Sequence, residues 1–118
     1  MQLAIQAEED DFVHVKITGK ITQEHIGVAG DPLLDLLGAG VYDRNVLLNM
    51  SDADFVDSSG VSWLLVMHKH FKEGNGKMIL HSVPQLIMNV FKVLNMHLVF
   101  QIAENGHDAA RMARENAS

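Results

Sequence analysis

The 118-residue sequence has no cysteine, two prolines, one tryptophan, one tyrosine and only nine basic side chains. Without cysteine there can be no thiolate nucleophile, no iron–sulfur cluster held by cysteines and no thiolate zinc site. The nine Lys/Arg are scattered and are outnumbered by fifteen Asp/Glu, giving a formal net charge of -6. Binding a phosphate backbone needs a basic stripe, so a nucleic-acid partner is not expected. Long apolar runs are missing as well, the stretches present being far shorter than the roughly 20 residues that span a bilayer. The start, Met1 to Gln6 followed by Glu8-Glu9-Asp10-Asp11, lacks the basic beginning and apolar run of a signal peptide. The expectation is an acidic domain, located in the cytoplasm, with no membrane span.

What the chain does have is 47% hydrophobic residues in a length typical of one domain, about 100 to 150 residues. A chain of this size buries roughly two-thirds of its unfolded surface and folds without a disulfide or a metal. A single domain over residues 1–118 is expected, with no linker, repeat or low-complexity segment.

Leu3, Ile5 and Ala7 alternate with polar neighbours, and Phe12, Val13, Val15 and Ile17 resume a β-rich pattern after the acidic run Glu8 to Asp11. This predicts a hairpin ended by Gly19. Residues 21–30 have no clear period and read as a connection. Asp31-Pro32 then signals a helix start, with Leu33, Leu34, Leu36 and Leu37 on its apolar face and Gly38 and Gly40 beyond its end. Val46 to Met50, bounded by Ser51-Asp52-Ala53-Asp54, reads as a short strand buried on both faces. Val61, Leu64, Leu65, His68 and Phe71 fall at helical spacing before Gly74 and Gly76. Lys77 to His81 predicts a strand, Pro84 opens a second amphipathic helix, Leu98 to Ile102 reads as a last strand, and Glu104 to Glu115 as a last helix. A hairpin followed by alternating helices and strands predicts an α/β mixed sheet with about four helices packed on it.

Asp57-Ser58-Ser59-Gly60 is the one place where several polar groups meet at a strand-to-helix junction. Ser58 or Ser59 there can cap the helix, and a phosphate at that position would meet backbone N–H groups and the positive end of the helix dipole. Asp52, Asp54 and Asp57 lie just upstream, so nearly two added negative charges would alter the local field strongly. By local chemistry alone, an ordinary N-cap with no further role remains open beside a phosphorylation switch.

The chain resembles a STAS domain, and more narrowly the bacterial anti-sigma factor antagonists, over nearly its whole length. The resemblance rests on Ile17-Thr18-Gly19-Lys20-Ile21 at the end of the hairpin, the strand Asn45 to Met50, Asp54-Phe55-Val56-Asp57-Ser58-Ser59-Gly60-Val61, Lys77-Met78-Ile79-Leu80, and Val83-Pro84. It implies a binding module rather than an enzyme, with no catalytic residues, no cofactor and Ser58 as the phosphoacceptor. Asp57, Ser59 and Gly60 would shape the partner-binding loop, with Asp57 orienting the Ser58 hydroxyl. The implied partners are an anti-sigma factor serine kinase of the histidine-kinase-like ATPase fold, bound when Ser58 is unphosphorylated, and a PPM-type serine phosphatase that restores that state. Thr22 and Gln23 stand where many members carry an acidic residue. Trp63, Val66 and Met67, which with Ser62 form the possible partner surface, are bulkier and more apolar than the family's usual exposed helix face. They are either core or a partner surface, which a second copy of the chain could also use to form a homodimer. The alternative function is a structural STAS subunit, in a stress-signalling scaffold or a transport system, with the serine only a cap.

Rival chemistries fit less well. His68 and His70 lie two apart on a helix and so face nearly opposite ways, while His14, His25, His81, His97 and His107 fall on different elements, so no metal site is expected. The serine junction lacks the Gly-x-Ser-x-Gly pattern and an assignable histidine base of a hydrolase. A receiver domain would need an acid pair after its first strand, where Thr18-Gly19-Lys20 stands, and a lysine after its last, where Ala103-Glu104 stands. The pairs Gly38/Gly40 and Gly74/Gly76 continue to no Walker or dinucleotide pattern.

Overall fold

The computed structural model describes residues 1–26 and 31–115, so residues 27–30 of the expected connection lie outside the described residues. β1 (Gln2–Glu8) and β2 (Val13–Ile21) form the antiparallel hairpin, closed where the Glu9 N–H donates to the Phe12 carbonyl at 2.8 Å. β3 (Asn45–Val56), β4 (Lys77–His81) and β5 (Gln101–Ala103) then add in parallel, giving the order β1-β2-β3-β4-β5. Parallel neighbours require crossovers. These are supplied by α1 (Gln23–Ile26) with α2 (Pro32–Leu37), by α3 (Ser58–Glu73) and by α4 (Gln85–Val93), while α5 (Gly106–Glu115) follows the last strand. The architecture is the expected α/β one, with four helices longer than a single turn among the described residues.

Local chemistry sets several boundaries. Asp31 caps α2, its carboxylate accepting from the Leu34 N–H at 3.0 Å, with Pro32 in the first turn and Gly38 at the end. The same carboxylate accepts the Tyr42 hydroxyl, tying α2 to the 3-10 turn Val41–Asp43. Burial and this bond to Asp31 push the Tyr42 phenol well above its ordinary range.

Three expectations require correction. Gly19 does not end β2: it adopts φ +92, the ladder shifts register beside it, and the strand runs on to Ile21. Because β2 continues, β3 continues with it, through Ser51-Asp52-Ala53-Asp54 to Val56, where Val56 pairs with Ile21. Lys16 pairs with Asp52 at 2.5 Å across the two strands, giving a polar stretch that reads as a turn a place in a strand. The last strand is shorter than expected. The N–H groups of Leu98, Val99 and Phe100 are all spent on carbonyls of Asn95 and Met96, so pairing begins only at Gln101.

Side-chain alternation gives the central strands two buried faces. Val13, Val15, Ile17, Val46, Leu48, Met50, Met78 and Leu80 lie under α2, α3 and α4, in one cluster with Leu33, Leu64, Phe71, Ile87 and Phe91. On the opposite face Phe12, Leu47, Ile79 and Ala103 meet Ala109, Ala110 and Ala113 of α5 in a second, smaller cluster.

Candidate functional site

β2 and β3 end side by side at Ile21 and Val56, and the chain turns there into α3. The turn is tight because of Gly60. A Cβ at that position would lie 1.9 Å from the Ile21 carbonyl oxygen and 3.0 Å from Val56 Cγ2, so only glycine lets the helix start sit against the strand end.

Asp57 is the N-cap, in extended conformation, and its Oδ1 accepts from the Gly60 N–H at 3.0 Å. The same oxygen accepts the Ser59 hydroxyl at 2.6 Å, and Ser59 Oγ in turn accepts the Gln23 N–H at 2.8 Å. The hydroxyl of Ser59, with the Gly60 N–H after it, holds the Asp57 carboxyl below the usual carboxylate range. This arrangement corrects the expected capping. The aspartate takes the position offered to the serines, because its carboxylate satisfies two donors at once, and Ser58 becomes the first helical residue. Asp57 therefore holds Ser59 and makes no hydrogen bond to Ser58.

Ser58 is left exposed, and among the described residues no group hydrogen-bonds its hydroxyl. Only its carbonyl is used, accepting the Ser62 hydroxyl at 2.9 Å one turn on. The two serines thus differ chemically: Ser59 is locked into a three-residue bridge, whereas Ser58 presents a free nucleophile-type oxygen at the positive end of a 16-residue helix.

The expected surface on α3 divides. Ser62 and Val66 are exposed, but Trp63 and Met67 are in the core, at 7% and 3% exposure, and do not form an apolar surface patch. Met67 meets the Tyr42 hydroxyl at 3.6 Å. A different apolar surface adjoins Ser58. It is a shallow groove of about 370 Å³ lined by Ser58, Leu86, Asn89, Val90, Val93 and Leu94, in which Leu86 and Val93 are 64% and 80% exposed. The sequence carries a signal for it: α4 has Leu86, Ile87, Met88, Val90, Phe91 and Val93, more apolar positions than one buried face requires.

The family model for the STAS domain matches residues 4–109. The chain belongs to the STAS family. Solved structures share its fold at low identity. The protein TM1081 of Thermotoga maritima superposes with a TM-score of 0.80 at 19% identity, covering 96% of this chain and 93% of that one. An anti-sigma-factor antagonist (STAS) domain protein from Planctomyces limnophilus gives 0.68 at 16% identity over 95% and 97%. The anti-sigma factor antagonist SpoIIAA in its unphosphorylated form gives 0.66 at 14% identity over 98% and 99%.

In this STAS domain Thr22 is buried and the Gln23 N–H is anchored to the motif through Ser59, so this segment is a structural tie. Of the three upstream aspartates, Asp52 is paired with Lys16 and Asp57 is engaged by the cap, leaving Asp54 exposed without an ion pair among the described residues. No group of three His, Asp or Glu side chains among the described residues is placed to hold a metal, and no helix among them is long and apolar enough to cross a membrane.

Proposed function

We propose that this STAS domain is an anti-sigma factor antagonist controlled by phosphorylation at Ser58. The observation that carries the proposal is the contrast between the two serines: Ser59 is consumed by Asp57 and Gln23, while the Ser58 hydroxyl is exposed and unengaged. In the unphosphorylated state the Asp57–Gly60 loop and the apolar groove along α4 receive an anti-sigma factor serine kinase, which is thereby withheld from its sigma factor. The kinase transfers the γ-phosphoryl group of ATP to Ser58 Oγ, with loss of the hydroxyl proton and release of ADP. The phosphoserine carries about -1.5 to -2 charges at neutral pH, beside the ionised Asp57 and at the rim of an apolar contact. Desolvating that charge against an apolar partner surface is unfavourable, and the complex separates. A PPM-type phosphatase hydrolyses the phosphoserine with water and restores the binding form.

The test is to incubate the protein with its cognate kinase and ATP and map the phosphate by mass spectrometry. One phosphate on Ser58, absent from Ser58→Ala, is expected. Phosphate on another residue, or none, overturns the assignment. Ser58→Asp should lose the kinase in a pull-down while keeping the fold, since an acid in the first turn suits the helix dipole. If Ser58→Asp retains the partner, the scaffold reading replaces the switch.

A further inference from the structure

The face of the sheet opposite the motif carries two imidazoles where the rest of its packing is apolar. His81 ends β4 at 3% exposure, its Nδ1 2.9 Å from Ser82 Oγ, and its Nε2 buried with no hydrogen-bond partner. His14 on β2 stands edge-to-face with it, ring centroids 5.3 Å apart, and its Nε2 is likewise buried and unpartnered. Phe12 closes the other side of His14 at 5.4 Å. Gly106, the first residue of α5, lies directly over the pair: a Cβ there would be 3.3 Å from His81 Cε1 and 3.5 Å from His14 Nε2. α5 is therefore seated on two neutral rings at its start and on alanine contacts along the rest of its length.

We propose that the His14–His81 pair is an acid-sensitive latch for α5, holding the helix on the sheet while both rings are neutral and releasing it when a ring is protonated. A charged imidazole at this place would have a buried N–H with no acceptor and would lie beside a second imidazole and the positive end of α5. The groups facing the pair do little to offset this. Glu9, from the β1–β2 turn, favours a charged His14, but burial outweighs it and His14 titrates below its ordinary value. β3 contributes uncharged Leu47 and Asn49 in register. Lys16, next on this face of β2, is paired with Asp52. Glu104 precedes α5 and His107 and Asp108 lie in its first turn, and the Ser82 N–H donates to the backbone carbonyl of Glu104. Burial, and then His14, lower His81 to about 4.

The sign follows from proton linkage. With α5 released, the rings regain a value near the ordinary 6.5, so the open form binds more protons than the closed one as pH falls below that value. Closure is fully favoured above about pH 6.5 and is progressively lost between there and about pH 4, where the docked His81 itself becomes charged. The latch does not depend on Ser58.

Hydrogen exchange on the full chain tests it, with protection factors of α5 (Ala109, Ala110, Ala113) and α3 (Leu64, Met67) compared at pH 7 and pH 5 after correction for the intrinsic exchange rate. The expected result is a roughly tenfold or larger fall in α5 protection with α3 unchanged, from a shift of the size given for His81. Equal α5 protection at both pH values, or a parallel fall in α3, overturns the proposal. His81→Gln keeps a polar side chain that cannot charge and should flatten the α5 response, whereas His107→Gln, an exposed control, should leave it intact. Should His81→Gln fold poorly, NMR titration of the two imidazoles in the unaltered protein decides: values near 6.5 for both in the docked state refute the latch.

Discussion

The two faces of the sheet are packed with different side chains. Under α2, α3 and α4, large residues such as Leu64, Phe71, Ile87 and Phe91 interdigitate with valine, isoleucine and methionine from the strands. Under α5 the helix contributes three alanines, and the seat ends on two imidazoles whose Nε2 atoms have no hydrogen-bond partner. Apolar burial scales with the area removed from water, so most of the folding free energy lies on the first face. The phosphoacceptor candidate is on that face too, with its helix start fixed against β2 by Gly60 and by the Asp57–Ser59–Gln23 bridge. A site that is read by its shape benefits from rigid surroundings, whereas a peripheral helix on a thin layer can open while the site stays formed.

Phe91→Ala should have the largest effect. It removes a fully buried ring that also stands edge-to-face with Phe100, and a loss of about 3–5 kcal/mol in a urea titration is expected. A small loss would mean that the face under α3 and α4 is not the dominant core. Gly60→Ala comes next. The added methyl meets a backbone carbonyl at 1.9 Å, so α3 must shift, at a cost of about 2–3 kcal/mol. The same variant should become a poor kinase substrate although Ser58 is unchanged. Normal phosphorylation in Gly60→Ala would show that the fixed helix start is not needed for recognition. Ala109→Gly should have the smallest effect, about 1–2 kcal/mol from the lost methyl and the freed helix backbone. Its signature is regional: faster exchange in α5 with α3 unaltered. Equal changes in both helices would join the two faces into one cooperative unit.

The elements most legible in the sequence are those fixed by neighbours along the chain. Alternation gave away the hairpin, Asp31-Pro32 the start of α2, and the apolar spacing from Val61 to Phe71 the body of α3. The extension of β3 through Ser51 to Asp54 was hidden because it depends on β2 running past Gly19 and on Lys16 meeting Asp52, both contacts between distant segments. Leu98 and Val99 have strand composition, yet their N–H groups are used within a turn. At the site, the position of the motif was readable but its internal wiring was not. The amide that fixes Ser59 comes from Gln23, 36 residues away, and that contact is what leaves Ser58 as the free hydroxyl. Trp63 and Met67 were ambiguous for the same reason, since spacing on a helix does not tell which of two adjoining faces meets the sheet.

The placement of the aromatic residues has an optical consequence. Trp63 and Tyr42 are the chain's single tryptophan and single tyrosine. Trp63 is buried in the core beneath α3, and Tyr42 packs edge-on against Phe71 on the same side. The second cluster contains one carbocyclic ring, Phe12, with the Arg114 guanidinium 5.2 Å from its centroid. Intrinsic fluorescence is therefore a one-sided reporter: its emission follows the layer that carries Ser58 and is silent about α5. Circular dichroism counts both layers, and any pH at which its curve departs from the fluorescence curve marks where the protein has ceased to unfold as one piece.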